Sequence, residues 1–146
     1  MPHAGKRWRA ARRPDEDDTL PGESDPRTYP EWRADPFGRA EDAAYGFGQN
    51  LIVHCRDEAM ATVAPGASEE TKAAIEAAVD RALHNVMELL EGFWPLRSGP
   101  SHRIEYALQV RVLEDSDKVV ETIDLSPCRL DLPIGYWKWA RDRKFR

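Results

Sequence analysis

The clearest pattern of apolar and polar positions in the chain runs from Ser68 to Trp94. Apolar residues recur there at steps of three and four, which places them on one stripe of an α-helix. Ser68 suits an N-cap, and Gly92 followed by Pro95 suits the exit of a helix. We therefore expect this helix to face the core of the domain with Ile75, Val79, Ala82, Leu83, Val86, Leu90 and Phe93.

A second helical pattern covers residues 38–63. The positions that share one face at helical spacing are Ala40, Ala44, Phe47, Leu51 and Cys55. Gly46 and Gly48 weaken this pattern, and they leave open a short strand at residues 51–54. Because residues 64–68 form only a short link, two helices on either side of it are expected to pack as an antiparallel hairpin.

After Pro95 the period changes from helical to two. Apolar and polar residues alternate through residues 102–114, which predicts a strand with one buried face, and residues 119–125 return as a second strand. These two strands form a β-hairpin. Residues 132–146 predict a short helix or an extended arm rich in aromatic residues, with Trp137, Trp139 and Arg141 as candidate interaction residues.

The helix pair whose second member contains LHNVMELLE resembles a group of small bacterial proteins of uncharacterised function. In these proteins a helical hairpin is followed by a β-hairpin. The resemblance covers about residues 38–125 and implies a fold but no activity. The predicted fold class is therefore α+β, with an antiparallel two-helix hairpin packed against a β-hairpin.

The first 36 residues differ in composition from the rest of the chain. They contain many prolines and charges and almost no aliphatic residues, so they bury too little apolar surface to offset the entropy of ordering. We predict a disordered, charge-segregated tail at residues 1–36, of which residues 29–37 are the best suited to contact the domain. Residues 37–146 are predicted to form a single α+β domain.

Charge is divided unevenly along the chain, whose net charge is −5. Both ends are basic, and the region between them is strongly acidic. An acidic body disfavours binding of nucleic acid over the whole surface, but the N-terminal end has the composition that neutralises phosphates. The basic residues that would carry such binding are Lys6, Arg7, Arg9, Arg12 and Arg13.

Neither a membrane segment nor a secretory signal is apparent in the sequence. No run of eighteen apolar residues occurs, and no apolar region follows the basic N-terminus. Cys55 and Cys128 lie far apart and do not form a disulfide pattern, which favours two reduced thiols in a cytoplasmic protein.

The strongest candidate for chemistry is the pair His54 and Glu58, four residues apart on the first helix. A histidine held by a carboxylate can act as an acid–base pair, although the same spacing is common at the edge of a helical core. Asp80, His84 and Glu88 form a second row, which the wheel of the second helix places on the solvent face. No metal-ligand spacing and no cofactor motif is present.

Three classes of function remain open from the sequence. The leading one is a small protein-interaction module of the regulatory or immunity type, without catalysis. The alternatives are an enzyme that uses His54 with Glu58 and a nucleic-acid accessory protein that uses the basic ends. A homodimer formed through the unpaired edge of the β-hairpin is compatible with each of them.

Overall fold

A computed structural model describes residues 25–146 of the chain. It contains three helices and two separate two-stranded antiparallel sheets, which confirms a mixed helix-and-sheet fold. Of the disordered tail predicted for residues 1–36, residues 1–24 lie outside the described residues. So do the candidate phosphate-binding residues Lys6, Arg7, Arg9, Arg12 and Arg13.

Helix α1 spans Pro36–Asn50 and continues without a break into a π-helical segment, Leu51–Asp57, and one further turn, Glu58–Met60. It begins at Asp35, whose side chain accepts a hydrogen bond from the backbone N–H of Gly38 at 2.7 Å. The helix predicted at residues 38–63 is thus confirmed as far as residue 60, while residues 61–63 form a turn. The alternative strand at residues 51–54 is wrong, since that stretch is part of the π-helical segment.

Helix α2 spans Glu69–Leu90 and begins as the sequence predicts. The Ser68 hydroxyl accepts a hydrogen bond from the backbone N–H of Thr71 at 3.1 Å, which satisfies one of the free donors of the first turn. The helix ends two residues before Gly92, whose φ of +80° is favourable for glycine.

The predicted rotation of α2 about its axis is wrong. Its one fully buried residue is Met87, and only part of the expected stripe contacts the core, through Leu83 and Leu90. Ala82 and Val86 are exposed. The reason is that the third helix packs against the side of α2 that carries Met87, rather than against the centre of the stripe.

The residues after α2 form two hairpins instead of one. Strands β1, Leu96–Arg97, and β2, Arg103–Ile104, form the first; strands β3, Gln109–Leu113, and β4, Val119–Asp124, form the second. The alternation predicted through residues 102–114 is therefore interrupted between β2 and β3. Only the second hairpin has a half-buried face, and it is next to α1.

Helix α3 spans Leu132–Asp142 and supplies a large part of the core. It packs against both α1 and α2. At its contact with α1, Gly48 lies against the Trp139 ring: a Cβ atom at Gly48 would lie 2.3 Å from a ring carbon. The buried core consists of Ala40, Ala43, Ala44, Tyr45, Leu51, Ile52, Met87, Leu125, Leu132, Tyr136, Trp139, Ala140 and Phe145.

Residues 25–35 lie against the N-terminal half of α1. The buried carboxylate of Asp42 accepts hydrogen bonds from the Arg27 guanidinium at 2.9 Å and from both the backbone and the side chain of Arg33. Burial alone would raise the pKa of Asp42, but these hydrogen bonds from Arg33 outweigh burial and lower it. The contacts join this segment, including the half-buried Trp32, to the domain.

Candidate functional site

Two surfaces of the domain are unusual: a polar cleft and an uncovered apolar region. The cleft lies between the end of α1, the first half of α2 and the C-terminal half of α3, and its volume is about 1300 Å³. Charged side chains from all three helices line it. We first describe the cleft and the candidate residues near it, and then the apolar region.

A hydrogen-bonded network closes the floor of the cleft. The Arg56 guanidinium donates to Asp80 at 2.7 Å and to Glu76 at 2.8 Å, and the Tyr136 hydroxyl donates to Asp80 at 2.6 Å. The side chains of Arg56 and Asp80 are only 13% and 14% exposed. One buried ion pair therefore connects the three helices.

The pKa values of this network show how strongly its charges are paired. Burial would raise the pKa of Asp80, but hydrogen bonds from Arg56 and Tyr136 outweigh it and lower the pKa. Burial and the hydrogen bond to Asp80 raise the pKa of Tyr136, so the phenol stays protonated over the physiological range. Because its charges satisfy one another, the network has the character of a structural contact.

The π-helical segment carries Arg56 into this network. A π-helical turn widens the helix by one residue, and such turns occur often at functional sites. Here the segment also contributes Asp57, whose carboxylate accepts a hydrogen bond from Arg143 at 2.8 Å. Arg56 and Asp57 thus join α1 to α2 and to the chain end that follows α3.

The candidate interaction residues of α3 have different environments. Trp139 is buried in the core against Phe47, with ring centroids 6.0 Å apart. Trp137 and Arg141 line the cleft, and the Arg141 guanidinium carbon lies 4.3 Å from the centroid of the Trp137 ring. Of the three, only these two are placed to meet a ligand or partner.

His54 and Glu58 lie together, with His54 Nδ1 2.9 Å from Glu58 Oε1. Both side chains are on the surface of the helix that includes the π-helical segment, and neither lines the cleft. The pair therefore has the hydrogen bond that acid–base chemistry requires, but it lies outside the cleft.

His84 does not lie on a solvated face of α2, as the helical wheel predicted. Its ring stacks on Trp137 with centroids 5.2 Å apart and a 29° angle between the planes. It also lies 6.3 Å from the Tyr136 ring and 3.7 Å from Glu88 Oε1. The wrong rotation of α2 explains this error, since α3 covers the side that was assigned to solvent.

Within residues 25–146, no group of three or more His, Cys, Asp or Glu side chains is arranged to hold a metal ion. Cys55 and Cys128 are free and exposed. Across the same part of the chain, no helix combines the length and the apolar character needed to cross a membrane.

The apolar region begins where α2 ends. Residues 93–106, which we call the arm, contain the first hairpin, and every one of them is exposed. Leu96 and Ile104 pair directly across β1 and β2, so their side chains share one face. The large apolar side chains of the arm are between 41% and 62% exposed: Phe93, Trp94, Leu96, Ile104 and Tyr106.

A second apolar surface lies along α2, on the side away from the cleft. We call it the outer face of α2. It bears no charged side chain over about four turns of helix, and its exposed members include Ala78, Ala82 and Val86. The whole outer face consists of Ile75, Ala78, Val79, Ala82, Asn85, Val86 and Leu89.

The sequence did not identify the Arg56–Asp80–Tyr136 network or the uncovered arm. The network joins residues 24 and 56 positions apart, so no local spacing indicates it. The arm does have a sequence signal, because Phe93 and Trp94 fall after the glycine that ends α2 and before Pro95. Large apolar residues in a short connection are typical of a contact surface.

Comparisons of the chain with protein-family models, with curated proteins and with solved structures find no significant match.

Proposed function

We propose that the chain is a protein-binding module and that the arm is its contact surface. The observation that supports this proposal is the exposure of five large apolar side chains within fourteen consecutive residues. Soluble domains seldom expose apolar side chains in such a cluster unless another surface covers them. A covered arm would also stabilise a two-stranded hairpin that is too small to be stable alone.

The composition of the arm supports a protein partner. Trp, Tyr and Arg dominate the energetics of protein interfaces, and the arm contains Trp94, Tyr106, Arg97 and Arg103. Arg103 lies 3.8 Å from Glu105, and both side chains are largely exposed. The complementary surface on a partner is an apolar groove edged by carboxylates or backbone carbonyls, since arginine donates readily to both.

Charge favours a protein over a nucleic acid as the partner of the arm. The chain has a net charge of −5, which opposes the phosphate neutralisation on which nucleic-acid affinity depends. The role of the basic residues 6–13 in polyanion binding stays a separate proposal. Retention of the full chain on immobilised RNA at physiological salt, lost without residues 1–13, would favour it.

Binding also accounts for the cleft better than catalysis does. Arg56 and Asp80 are hydrogen-bonded to one another, and Tyr136 is kept protonated beside them. A catalytic group needs a titration matched to its reaction and access to a substrate. The network instead stabilises the helices that hold the arm.

The test compares two exposed apolar surfaces in the full chain. The arm variant combines Trp94→Ser and Leu96→Ser, and the control combines Leu113→Ser and Val120→Ser on the second hairpin. Cross-linking in the cells that produce the chain, followed by mass spectrometry, is expected to show a partner protein linked through residues 93–106. The link should be lost in the arm variant and retained in the control.

Two outcomes contradict the proposal. One is a set of cross-linked proteins that is the same for wild type, arm variant and control. The other is a turnover that His54→Ala abolishes while the cross-linked set is unchanged, which would favour the enzyme that uses His54 and Glu58. Circular dichroism of each variant verifies that the helices remain folded.

A further inference from the structure

The outer face of α2 has the spacing of a helix–helix seam. Ile75, Ala82 and Leu89 are seven residues apart, and Ala78 and Asn85 fall between them at steps of three and four. This is the 3-4 spacing at which one helix packs into another. Within the chain, α2 packs on α3 and on the end of α1. On the outer face Ala78, Ala82 and Val86 are exposed, and the other members are half-buried.

We propose that a second copy of this chain covers the outer face, with the two α2 helices antiparallel and related by a two-fold axis. The helices cross at the level of residues 83 and 84. In this register Ala78 of one copy packs against Leu89 of the second copy, and Ala82 packs against Asn85 of the second copy. Small side chains thus meet larger ones in each layer, as close helix packing requires.

The edges of the seam are complementary in the same register. On one edge Val79 meets Val86 of the second copy, which extends the apolar contact. On the other edge Arg81 meets Glu88 of the second copy, and the two-fold axis produces this ion pair twice. Arg81 is exposed where the edge of the seam meets the cleft, and among residues 25–146 no carboxylate lies in an ion pair with it, while Glu88 lies 3.7 Å from His84.

A register shifted by one heptad loses this complementarity. It would place Arg81 opposite Arg81 of the second copy, which is repulsive, and it would leave Glu88 opposite Ala74. A self-complementary arrangement of charges is what distinguishes a contact between identical chains from a contact with a different protein. The seam is short, since α2 has 22 residues.

A single pair of helices buries less surface than a standard stable interface, so we expect a dissociation constant on the order of 10 µM. Antiparallel pairing would place the two arms at opposite ends of the helix pair, roughly 30 Å apart at 1.5 Å per residue. If the arm binds a partner, as the proposed function holds, the dimer would be bivalent.

The decisive experiment is sedimentation equilibrium of the full chain between 1 and 200 µM (concentrations chosen around that dissociation constant). Wild type is expected to pass from monomer to dimer over this range. Arg81→Glu and Glu88→Arg should each weaken self-association by about tenfold or more, because each creates two like-charge contacts. The double variant R81E/E88R should return to within about threefold of wild type, since it restores opposite charges.

Arg111→Glu is the matched control, because it makes the same charge change at an exposed position of β3. It should leave the dissociation constant unchanged. Ala82→Arg places a charge in the seam and should yield a monomer whose unfolding midpoint at 1 µM equals that of wild type. Both proteins would be monomeric at that concentration.

A wild-type chain that stays monomeric at 200 µM overturns the proposal. So does a double variant that associates no better than the single variants, since the register then differs from the one described. A dimer lost on Val120→Arg but not on Ala82→Arg would indicate association through the edge of the second hairpin. None of these outcomes depends on whether the arm binds a partner.

Discussion

The cleft differs from the two apolar surfaces, the arm and the outer face of α2, in how its side chains are exposed to water. At the floor of the cleft, ionisable side chains are largely shielded from water and paired: Arg56 with Asp80, and Tyr136 with Asp80. On the arm, large apolar side chains are exposed to water, and the outer face of α2 exposes Ala78, Ala82 and Val86. A buried charge is costly unless it is paired, and an exposed apolar cluster is costly unless it is covered.

The difference indicates which regions are stabilised by contacts within a single copy of the chain. The polar network is complete within one copy and contributes to the stability of the fold. If the proposed partner and the proposed second copy bind there, the apolar surfaces would gain stability on association. Substitutions in the cleft should therefore change the free energy of unfolding of the isolated chain, whereas substitutions on the arm or outer face should change association.

The largest effect is expected for Asp80→Ala. It removes the acceptor shared by Arg56 and Tyr136, and breaking a buried ion pair costs about 3 kcal/mol of unfolding free energy, even allowing for the Glu76 contact that Arg56 keeps. Glu76→Ala is the matched control, since Glu76 pairs with the same arginine but is 54% exposed. Its cost should stay below about 1 kcal/mol.

Urea denaturation of both variants measures these values. Equal losses in Asp80→Ala and Glu76→Ala would show that burial does not distinguish the two carboxylates, and the contrast between the cleft and the exposed surfaces would weaken. A loss confined to Asp80→Ala would support the network as the contact that joins the three helices.

The next effect concerns the packing of α3 on α1. Gly48→Ala introduces a methyl group that would lie 2.3 Å from a ring carbon of Trp139, so the ring must move and about 2 kcal/mol of stability is expected to be lost. Gly46→Ala, two residues earlier in the same helix, has no atom within 4 Å of the new methyl. It should stabilise by up to about 1 kcal/mol because alanine favours the helix.

Thermal unfolding of the two alanine variants measures the expected loss of stability in Gly48→Ala and the expected gain in Gly46→Ala. Tryptophan fluorescence adds a local readout, because Trp139 should be displaced only in Gly48→Ala. If both variants gain stability, the close approach of Gly48 and Trp139 is not as tight as the structure has it.

The ends of α2 could be predicted from sequence because their signals are local. Ser68 caps the first turn through a hydrogen bond three residues away, and Gly92 takes up the positive φ that follows the last turn. The π-helical character of residues 51–57 has no comparable signal, since the same residues would also suit an ordinary helix. Local chemistry thus defines where helices are, but not every detail of their path.

The rotation of α2 could not be predicted because the helix is apolar on more than one side. Met87 and Leu83 lie toward the core, while Val86 and Ala82 lie on the exposed side. The choice between these sides depends on α3, which is formed more than forty residues later in the chain. The pairing of Asp80 with Tyr136 depends on the same long-range contact.

The same error in the rotation of α2 affected the assignment of two surfaces, the outer face of α2 and the side that carries His84. A stripe assigned to the core is not considered as a contact surface, although Val86 and Ala82 are in fact exposed. Conversely, His84 was placed in solvent although it stacks on Trp137 beside the cleft. The pair His54 and Glu58 was found because its four-residue spacing is local, and its hydrogen bond follows from that spacing.

The smallest effect is expected for the ion pair between Arg39 of α1 and Glu121 of the second hairpin. Hydrogen bonds from Arg39 and Tyr29 lower the pKa of Glu121 from its usual 4.5 to about 2. A carboxylate with a lowered pKa in the folded state adds stability above its unfolded pKa, and this stability is lost as the pH falls through the folded pKa. The contribution should be full above pH 4.5 and disappear as the pH falls to about 2.

Glu121→Gln removes the charge and should reduce the unfolding free energy at pH 7 by about 1 kcal/mol, a modest value because a quarter of the side chain is exposed. The gap between wild type and variant should narrow below pH 4.5 and be nearly closed at about pH 2. Urea denaturation at a series of pH values measures it. A gap that stays constant down to the lowest pH would mean that the Glu121 carboxylate has no lowered pKa, and that its contact with Arg39 does not act as a paired charge.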